Sequence, residues 1–497
     1  MITTHEIRDI LNIGIEITTE KNKNCLLEKM LGKAIEIAGC DAGTLYVLKD
    51  GCLHFKIMKT LSMGVDRGAG GEEIDLPPVA LKEENVCAYT AIHKDLVNIP
   101  DVYNSDKFDF SGPVRYDSMT GYHTKSMLVI PMEDAEDNVI GVIQLINKLD
   151  EENEIISFTD EDAFILRSLG SMAAVSLTNM IYLEEIKRQM QSFVQAFATA
   201  IDKRTPYNAS HTRMVTEYAV MVATRLDELY VQGRGGEAFD QTRVEQLRLA
   251  AGLHDIGKMI VPLSVMNKST RLDGSQKEIE DRFAYLRLLY ERDMLRGEIS
   301  REIYDEKIAE LNADQDLIKQ ADSAGFLSDD MLSSVNALAD HCYRGADGSV
   351  IPYVTEQELT CLRVRKGTLT AEERAIMEGH ATMTKDILAQ VYFTDTYKNA
   401  LLYASEHHEY LDGSGYPNHL QGEALSTETR ILTAVDIYDA LTCTDRPYKK
   451  PMPREKAISI LQSMVQEGKL DATVVSALDD VTRRRENGGG YEAGEKV

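Results

Sequence analysis

Tryptophan is absent from this 497-residue sequence, and cysteine is scarce. The seven cysteines are odd in number and never form a CxxC pair. This argues against a disulfide framework or a cysteine-rich zinc site, and it predicts reduced thiols in a cytoplasmic protein. The cysteines are Cys25, Cys40, Cys52, Cys87, Cys342, Cys361 and Cys443.

Positive charge is also in short supply. Lysine and arginine total 54 against 81 aspartate and glutamate residues, which gives a formal net charge of −27. Such a chain repels nucleic-acid polymers and anionic membranes, so neither is expected as a partner. An anionic substrate would need a local positive centre, such as a metal ion.

Long apolar runs are missing as well. No segment approaches the roughly 18–20 consecutive apolar residues that span a bilayer. The N-terminal stretch MITTHEIRDILN carries acidic residues and no long apolar core, which argues against a secretory signal. We therefore expect a cytoplasmic protein without a membrane span, built from two or three domains.

The first 160 residues have the pattern of an α/β domain with an antiparallel sheet. The stretch NCLLEKMLGKAIEIAG has helical spacing. GTLYVLKDGCLHFKIM predicts two strands around the Asp50-Gly51 turn, and KSMLVIPMEDAEDNVIGVIQLINK predicts a second hairpin around an acidic turn.

A long helix is predicted next, from about Asp160 to Asp202. Its apolar residues have the 3-4-3-4 spacing of a coiled-coil seam, which is also found in helices buried in a domain core. Its position between two domain-like regions favours a connecting helix that forms a homodimer. The seam residues are Leu183, Ile186, Met190, Phe193 and Phe197.

The second half of the sequence predicts an all-α domain, because no segment beyond Arg204 alternates convincingly. A polar stretch interrupts it and predicts a helical hairpin around Gly297. We therefore expect a domain at 1–160, a connecting helix at 161–199, an all-α domain at 200–475 with an insert at about 268–365, and a solvated tail at 476–497.

Only 11 histidines occur, yet two are adjacent in EHHEYLDGSGYP and another begins HDIGK. Neighbouring residues on a helix point about 100° apart, so His407 and His408 cannot both face one apolar core. Imidazole and carboxylate groups without cysteine suit Fe, Mn, Zn or Ni. Seven candidate ligands exceed the need of one ion, so two divalent ions are expected, with a carboxylate able to bridge them. The candidates are His211, His254, Asp255, His380, His407, His408 and Asp436.

The remaining histidines have the ordinary interpretation. A lone histidine is usually a polar residue whose hydrogen bonds are satisfied locally, and nothing in the sequence sets these apart. They are His5, His54, His93, His123, His341 and His419.

HDIGK, HHEYLDGSGYP and DIYDALTCTDRPYKKPM resemble the HD-GYP family of bacterial cyclic di-GMP phosphodiesterases, within the HD superfamily. The resemblance runs from Ala196 to about Pro453 outside the insert. It implies that His211, His254, Asp255 and Asp436 hold one metal ion. Asp255 would bridge to a second ion held by His380, His407 and His408.

The resemblance also implies roles around the substrate. Asp255 and Lys258 would be catalytic, with Lys258 meeting the scissile phosphate, while Arg446 and Lys449 would meet the rest of the nucleotide. Gly413 and Gly415 would let the backbone turn tightly and lie close to the substrate, and Tyr416 would stiffen the loop. Some family members hold a third metal through a glutamate where this chain has Tyr207, so two ions are expected.

The implied activity is hydrolysis of cyclic di-GMP to pGpG, and to GMP after a second cut. Two alternatives stay open: a phosphodiesterase of another cyclic dinucleotide, and a catalytically quiet effector that binds a nucleotide or a partner domain.

The first domain resembles GAF domains, most closely those of cyclic-nucleotide phosphodiesterases, through LVNIPDVYNSDKFDF, TGYHTKSMLVIPM and VIGVIQLINK. Members that bind cyclic nucleotides have Asn-Lys, a spaced Phe and then Asp-Glu three residues later. Asn147, Lys148 and Phe158 fit, but Asp160-Glu161 follow Phe158 too soon. The resemblance implies a regulatory domain with a small ligand, and a domain that only dimerises is the alternative.

Overall fold

The computed structural model describes residues 4–204, 210–345, 347–443 and 451–486, with side chains from residue 12 onward. The chain divides into two compact units, Met1–Gln189 and Met190–Val497. The boundary falls inside one long helix rather than near residue 160.

The first unit is an antiparallel sheet flanked by helices, as the sequence predicts. The strand order is β3-β2-β1-β7-β6-β5, with β4 added to β2 and β8 to β7. The strands are β1 Cys40–Lys49, β2 Cys52–Thr60, β3 Val65–Gly68, β4 Val79–Ala80, β5 Val97–Ile99, β6 Met127–Glu133, β7 Val139–Leu149 and β8 Ile155–Ile156. The helices are α1 Thr4–Thr19, α2 Lys23–Ala38, α3 Val86–His93 and α4 Ser111–Thr120.

Both predicted hairpins form. Asp50 and Gly51 have φ angles of 51° and 73°, the positive values that a tight hairpin turn requires. Alternate residues of β6 serve two cores, because successive strand side chains point to opposite faces. Leu128 and Ile130 pack with α2 on one face, and Met127 and Val129 pack with α3 on the other.

Helix α5 spans Asp160–Arg204, in agreement with the long helix predicted from about Asp160 to Asp202. Its first turns are buried in the first unit through Leu166, Leu169 and Leu177. Further along, four residues of the predicted seam are exposed: Leu183 at 67%, Ile186 at 61%, Phe193 at 66% and Phe197 at 47%. The described chain therefore leaves this apolar seam uncovered, and homodimer formation through it stays a prediction.

Helix α5 is also the one described helix that is long and apolar enough to cross a membrane, with 33% of its apolar window buried. Length and composition do not separate such a helix from a core helix of a water-soluble protein. The sequence predicts this helix but no membrane span, because no uninterrupted apolar run marks one.

The second unit is a helical bundle that carries an insert. Its described helices outside the insert are α6 His211–Val231, α7 Gln241–Leu253, α8 Leu263–Met266, α13 Ala371–Glu378, α14 His380–Leu388, α15 Ala400–Ser405, α16 Thr427–Thr442, α17 Arg454–Gln466 and α18 Ala472–Glu486. Short 3-10 turns lie at Ile256–Met259 and Gly422–Ala424.

Helix α18 corrects the predicted tail. Val474, Leu478 and Val481 follow a helical spacing and are buried in the core of the bundle. The residues from 476 to 486 therefore belong to the domain, because this apolar stripe outweighs the polar composition around it. The remainder of the predicted tail lies outside the described residues.

The insert has a core of its own. Helices α9 Gln276–Leu295 and α10 Arg301–Ser323 form the predicted hairpin, with Gly297 at a φ of 73°. Helices α11 Asp329–Ala337 and α12 Glu356–Leu362 complete it, with a 3-10 turn at Leu338–Asp340. A two-stranded hairpin, β9 Cys342–Arg344 with β10 Val350–Pro352, departs from the all-α expectation, since strands of three residues are too short to show alternation.

Arg271 closes the insert at its base. The side chain is 0% exposed, and its guanidinium donates hydrogen bonds to Val364 O at 2.7 Å and Ala321 O at 2.8 Å. A further bond from the guanidinium reaches Ala324 O. The beginning and the end of the insert are thereby fastened to each other.

We predict that Arg271→Met lowers the free energy of unfolding of the insert by about 3 kcal/mol, because buried carbonyl groups lose their donors. Hydrogen exchange of the α10 amides measures this effect within the intact chain. Arg296→Met is the matched control, since the Arg296 side chain is 62% exposed. Equal exchange in the two variants would contradict the closing role of Arg271.

Candidate metal centre

The predicted ligands lie at helix ends that meet in the second unit. His211 begins α6, His380 begins α14, and His254 directly follows α7. The paired histidines follow α15, and Asp436 lies within α16. All seven predicted ligand residues come together, although they are spread from residue 211 to residue 436.

Asp255 lies between two groups of these residues. Its Oδ2 is 3.3 Å from His254 Nε2 and 3.6 Å from His211 Nε2. Its Oδ1 is 3.5 Å from His380 Nε2 and 3.8 Å from His407 Nε2. The two oxygens of one carboxylate thus face different histidine pairs.

Asp436 and His408 complete the two groups. Asp436 Oδ1 is 3.3 Å from His211 Nε2, and its Oδ2 is 3.9 Å from His408 Nδ1. Donor atoms of His211, His254 and Asp436 lie within 4.8 Å of one another, and so do those of His380, His407 and His408. Each group has the compactness that one metal ion needs.

Two buried atoms of this centre are orphaned. Among the described residues, neither His254 Nε2 nor Asp255 Oδ1 has a hydrogen-bond partner. Leaving buried polar atoms unpaired is costly, so such atoms call for an explanation. A bound cation would supply it, because both atoms are lone-pair donors directed into the centre.

The other ring nitrogens are held by the protein. Nδ1 of His254, His380 and His407 lies 2.6–2.7 Å from the carbonyl oxygens of Ala251, Met377 and Ala404, respectively. Each acceptor is three residues before its histidine. These bonds place the proton on Nδ1 and leave Nε2 as the donor atom for a metal.

Asp439 orients His211 in the same way. Its Oδ2 accepts a hydrogen bond from His211 Nδ1 at 2.6 Å, and the carboxylate is buried. Sequence analysis did not identify Asp439. The available signal was its position three residues after Asp436, which puts both carboxylates on one face of α16.

Burial sets the protonation of the second histidine group. Burial, together with His408 and His254, holds the pKa of His407 well below its ordinary value. Burial also lowers the pKa of His408 to about 3, with His380 adding to it and Asp436 opposing it. These imidazoles are therefore neutral at pH 7, as metal ligands must be.

In the first group, which contains His211, His254 and Asp436, neighbouring carboxylates decide the protonation of His211. Burial disfavours the imidazolium form of His211, but the adjoining Asp436 and Asp439 outweigh it and raise its pKa to about 10. Burial also opposes ionisation of Asp255, yet His254 and Lys258 hold its pKa well below the ordinary range. The centre thus keeps an ionised carboxylate at its middle.

Packing fixes the HDIGK segment against α14. Thr384 Oγ1 donates to His254 O at 2.9 Å and accepts from Gly257 N at 3.1 Å. A Cβ on Gly257 would lie 2.0 Å from His380 O, so only glycine permits this approach. Lys258 Nζ lies 2.5 Å from Asp255 Oδ2, at the edge of the centre.

The loop after the paired histidines is tied back to them. Glu409 is buried and accepts hydrogen bonds from the backbone N–H groups of Asn418 at 2.6 Å and Leu420 at 3.0 Å. The Tyr416 ring lies 4.8 Å from the His408 ring, measured between centroids. The sequence did not identify Glu409, because nothing in it distinguishes this residue from the other charged residues.

Glycine is needed at two positions of this loop, 413 and 415, for different structural reasons. Gly413 has a φ of 80°, which confirms the predicted tight turn. A Cβ on Gly415 would lie 2.5 Å from His408 O and 2.4 Å from Tyr410 N, so this glycine lets the loop fold onto the histidine backbone. Arg446, Lys449 and Tyr207 lie outside the described residues.

The donor set fits divalent cations. Five imidazoles and two carboxylates are the ligands of first-row metals such as Zn, Mn, Fe and Ni, and the described residues near them include no thiolate ligand. The arrangement can hold cations and expose them at the edge where Lys258 stands. Such a centre suits the binding and cleavage of a phosphate ester.

In the first unit, a cavity of about 290 Å³ lies against the sheet, lined by Tyr46, Phe55, Asn85, Phe110 and Gln144 among others.

The Asn147-Lys148 pair of the first unit makes contacts that hold the domain together. Asn147 Oδ1 accepts from Lys125 N at 2.8 Å, and Lys148 pairs with Asp162. Asp162 follows Phe158 after three intervening residues and is itself followed by Ala163 rather than by a glutamate.

Two models of known protein families match the second unit of the chain. Two family models, both described as HD domain, match residues 208–323 and residues 357–474. The chain contains an HD domain. The two matches lie on either side of the β9–β10 hairpin of the insert.

Several proteins similar to part of this chain are named as phosphodiesterases. The 3'3'-cGAMP-specific phosphodiesterase 3 of Vibrio cholerae is 40% identical over 98 residues, which cover 20% of this chain and 20% of that protein. The cyclic di-GMP phosphodiesterase response regulator RpfG of Xanthomonas campestris is 37% identical over 116 residues, 23% of this chain and 30% of that protein. The chain thus spans a fifth to about a third of these relatives.

A solved structure from Geobacter sulfurreducens, described as a GAF domain/HD domain protein, is similar at a TM-score of 0.24 and 14% identity. The likeness covers 33% of this chain and 98% of that one.

We predict that Asp439→Ala weakens metal binding by about 10–100-fold, because His211 loses the carboxylate that orients it and raises its basicity. Equilibrium dialysis with zinc measures the affinity. Asp439→Asn should recover part of it, since an amide oxygen still accepts from Nδ1. Asp386→Ala on the exposed face of α14 is the control. Unchanged affinity in Asp439→Ala would refute the positioning role.

Proposed function

We propose that the HD domain of this chain is a metal-dependent phosphodiesterase that hydrolyses cyclic di-GMP to pGpG, with GMP as the product of a second cut. One observation carries the proposal: the two oxygens of the buried Asp255 face separate histidine groups. A bridging carboxylate between two ions is the arrangement that phosphoryl-transfer centres use.

Two divalent ions per chain are proposed, chosen from Fe, Mn, Zn and Ni. His211, His254, Asp255 and Asp436 hold the first ion. His380, His407, His408 and the second oxygen of Asp255 hold the other. The orphaned His254 Nε2 and Asp255 Oδ1 support this division, because each is directed into a different half of the centre.

Bound cations supply charge neutralisation at the phosphoryl oxygens and activation of a water molecule. The protein keeps His380, His407 and His408 neutral through burial and keeps Asp255 ionised through its positive neighbours. Lys258 carries its ammonium group beside Asp255 with 21% of its side chain exposed, so it can meet a phosphate that enters the edge of the centre.

Further substrate contacts are proposed for the loop. Tyr416 lies beside His408 and can contact the nucleotide next to the scissile phosphate. Gly413 and Gly415 keep the loop in place, and Arg446 and Lys449 are proposed to bind the remaining phosphate and base by resemblance to the HD-GYP family.

The choice of cyclic dinucleotide rests on relatives. Proteins similar to part of this chain are named for cyclic di-GMP and for 3'3'-cGAMP. Cyclic di-GMP is our first choice, and hydrolysis of another cyclic dinucleotide is the competing outcome. The third possible outcome is that the chain binds the nucleotide without cleaving it.

The deciding experiment incubates purified, metal-loaded protein with a panel of cyclic dinucleotides and identifies the products by mass. We predict cleavage of cyclic di-GMP, loss of activity in Asp255→Ala, and about two fewer metal ions in that variant than in the parent. Asp386→Ala should keep both properties. Faster cleavage of 3'3'-cGAMP would change the substrate, whereas substantial turnover by Asp255→Ala would refute the two-ion centre.

Regulation by the first unit is a further part of the proposal. We propose a cytoplasmic homodimer in which the exposed seam of α5 pairs with its counterpart, and a small ligand in the cavity beside Tyr46 and Gln144 biases that pairing. Ligand control requires unequal binding to two arrangements of the seam.

We predict that the double variant Met190→Glu with Phe193→Glu is monomeric and hydrolyses cyclic di-GMP without any response to ligands of the first unit. Four like charges in a buried dimer seam disfavour pairing, whereas each catalytic centre has its ligands within one chain. Sedimentation and kinetics measure both properties, and Glu184→Gln on the same helix is the control. A dimeric, regulated double variant would place dimerisation and signalling elsewhere.

A further inference from the structure

The insert contains a second compact group of possible metal ligands, apart from the HD centre. Donor atoms of Glu310, Asp314 and His341 lie within 4.8 Å of one another. Glu310 and Asp314 are one turn apart on α10, and His341 follows the 3-10 turn Leu338–Asp340. The sequence offered no sign of this group, because His341 is nearly thirty residues from its partners.

Asp314 occupies a position where an apolar residue is expected. The buried face of α10 is formed by Leu311, Asp314, Ile318 and Ala321, which follow a helical stripe. The other three belong to the apolar core of the insert. Burying a carboxylate in such a stripe is costly unless a cation or several donors compensate it.

The contacts of the described residues compensate Asp314 only in part. His341 Nδ1 lies 2.6 Å from Asp314 Oδ2, and Lys307 Nζ lies 2.8 Å from Glu310 Oε2. Burial nevertheless raises the pKa of Asp314, although His341 opposes this shift. Lys307 pairs with Glu310 and His341 pairs with Asp314, whereas one divalent cation held by Glu310, Asp314 and His341 would compensate both carboxylates together.

We propose that Glu310, Asp314 and His341 hold one first-row divalent cation, zinc being the probe of choice. Two carboxylate oxygens and one imidazole nitrogen suit such ions, and three protein ligands leave room for water. The Glu310 and His341 side chains are 26% and 32% exposed, so the ion can enter from solvent. Bound there, it would fasten α10 to the segment that leads into β9.

This site is independent of the proposed hydrolysis. Its residues belong to the insert, whose core is separate from that of the HD bundle. The role we infer is structural: the ion stabilises the insert and takes no part in the chemistry at Asp255. Loss of this ion should therefore leave the hydrolytic rate unchanged.

The test counts metal by elemental analysis after the full-length protein has been equilibrated with zinc and desalted. We expect His341→Gln and Glu310→Gln each to carry one ion fewer per chain than the parent, with the helical circular dichroism retained. Asp316→Asn, an exposed carboxylate on the same helix, should keep the parental count. Hydrogen exchange of the α10 amides should increase on chelation in the parent and not in His341→Gln.

Equal metal content in the parent and both variants would overturn the proposal and leave an Asp314–His341 ion pair only. Glu310→Gln guards against misfolding, because the amide keeps the size of the side chain at a partly exposed position. If both variants lose all metal together with hydrolysis, the ion count reports damage to the HD centre, and the insert site is again refuted.

Discussion

A single buried carboxylate organises the candidate metal centre in the second unit of this protein. Asp255 is 2% exposed, and each of its oxygens faces a different pair of histidines. An ionised carboxylate in such a place requires positive charge nearby, and Lys258 supplies part of it at 2.5 Å. Cations shared with the surrounding imidazoles would supply the rest, which is why the orphaned atoms lie here and why the proposed chemistry centres on this residue.

The positions of the histidines follow from helix packing. His211 and His380 begin helices, His254 directly follows α7, and His407 comes two residues after the end of α15, so each side chain is fixed by the bundle core beneath it. Hydrogen bonds from Nδ1 to backbone carbonyls then set the ring orientation without further side chains. A bundle that holds its helix ends in register therefore holds the metal site as well.

The same arrangement explains how the domain accommodates a long insert. The insert begins and ends near Lys268 and Thr368, where Thr368 Oγ1 donates to Lys268 O at 3.1 Å. Lys268 also pairs with Glu373 at the beginning of α13. Since the two ends are close together and the insert has its own core, its length costs the bundle little. His254 and His380 meet across a gap in sequence that the fold closes locally.

Local chemistry in the sequence was sufficient for the hairpin at Asp50-Gly51, the long helix α5 and the seven ligand candidates. Turn residues, helical spacing and rare adjacent histidines are signals that a short window contains. Only tertiary structure decided that Asp439 supports His211, that Glu409 ties down the loop and that Gly415 folds onto the histidine backbone. It also decided that Asp314 and His341 meet in the insert. Each of these depends on contacts between chain segments that no spacing rule links, because their energy comes from burial and is realised only when the helices pack.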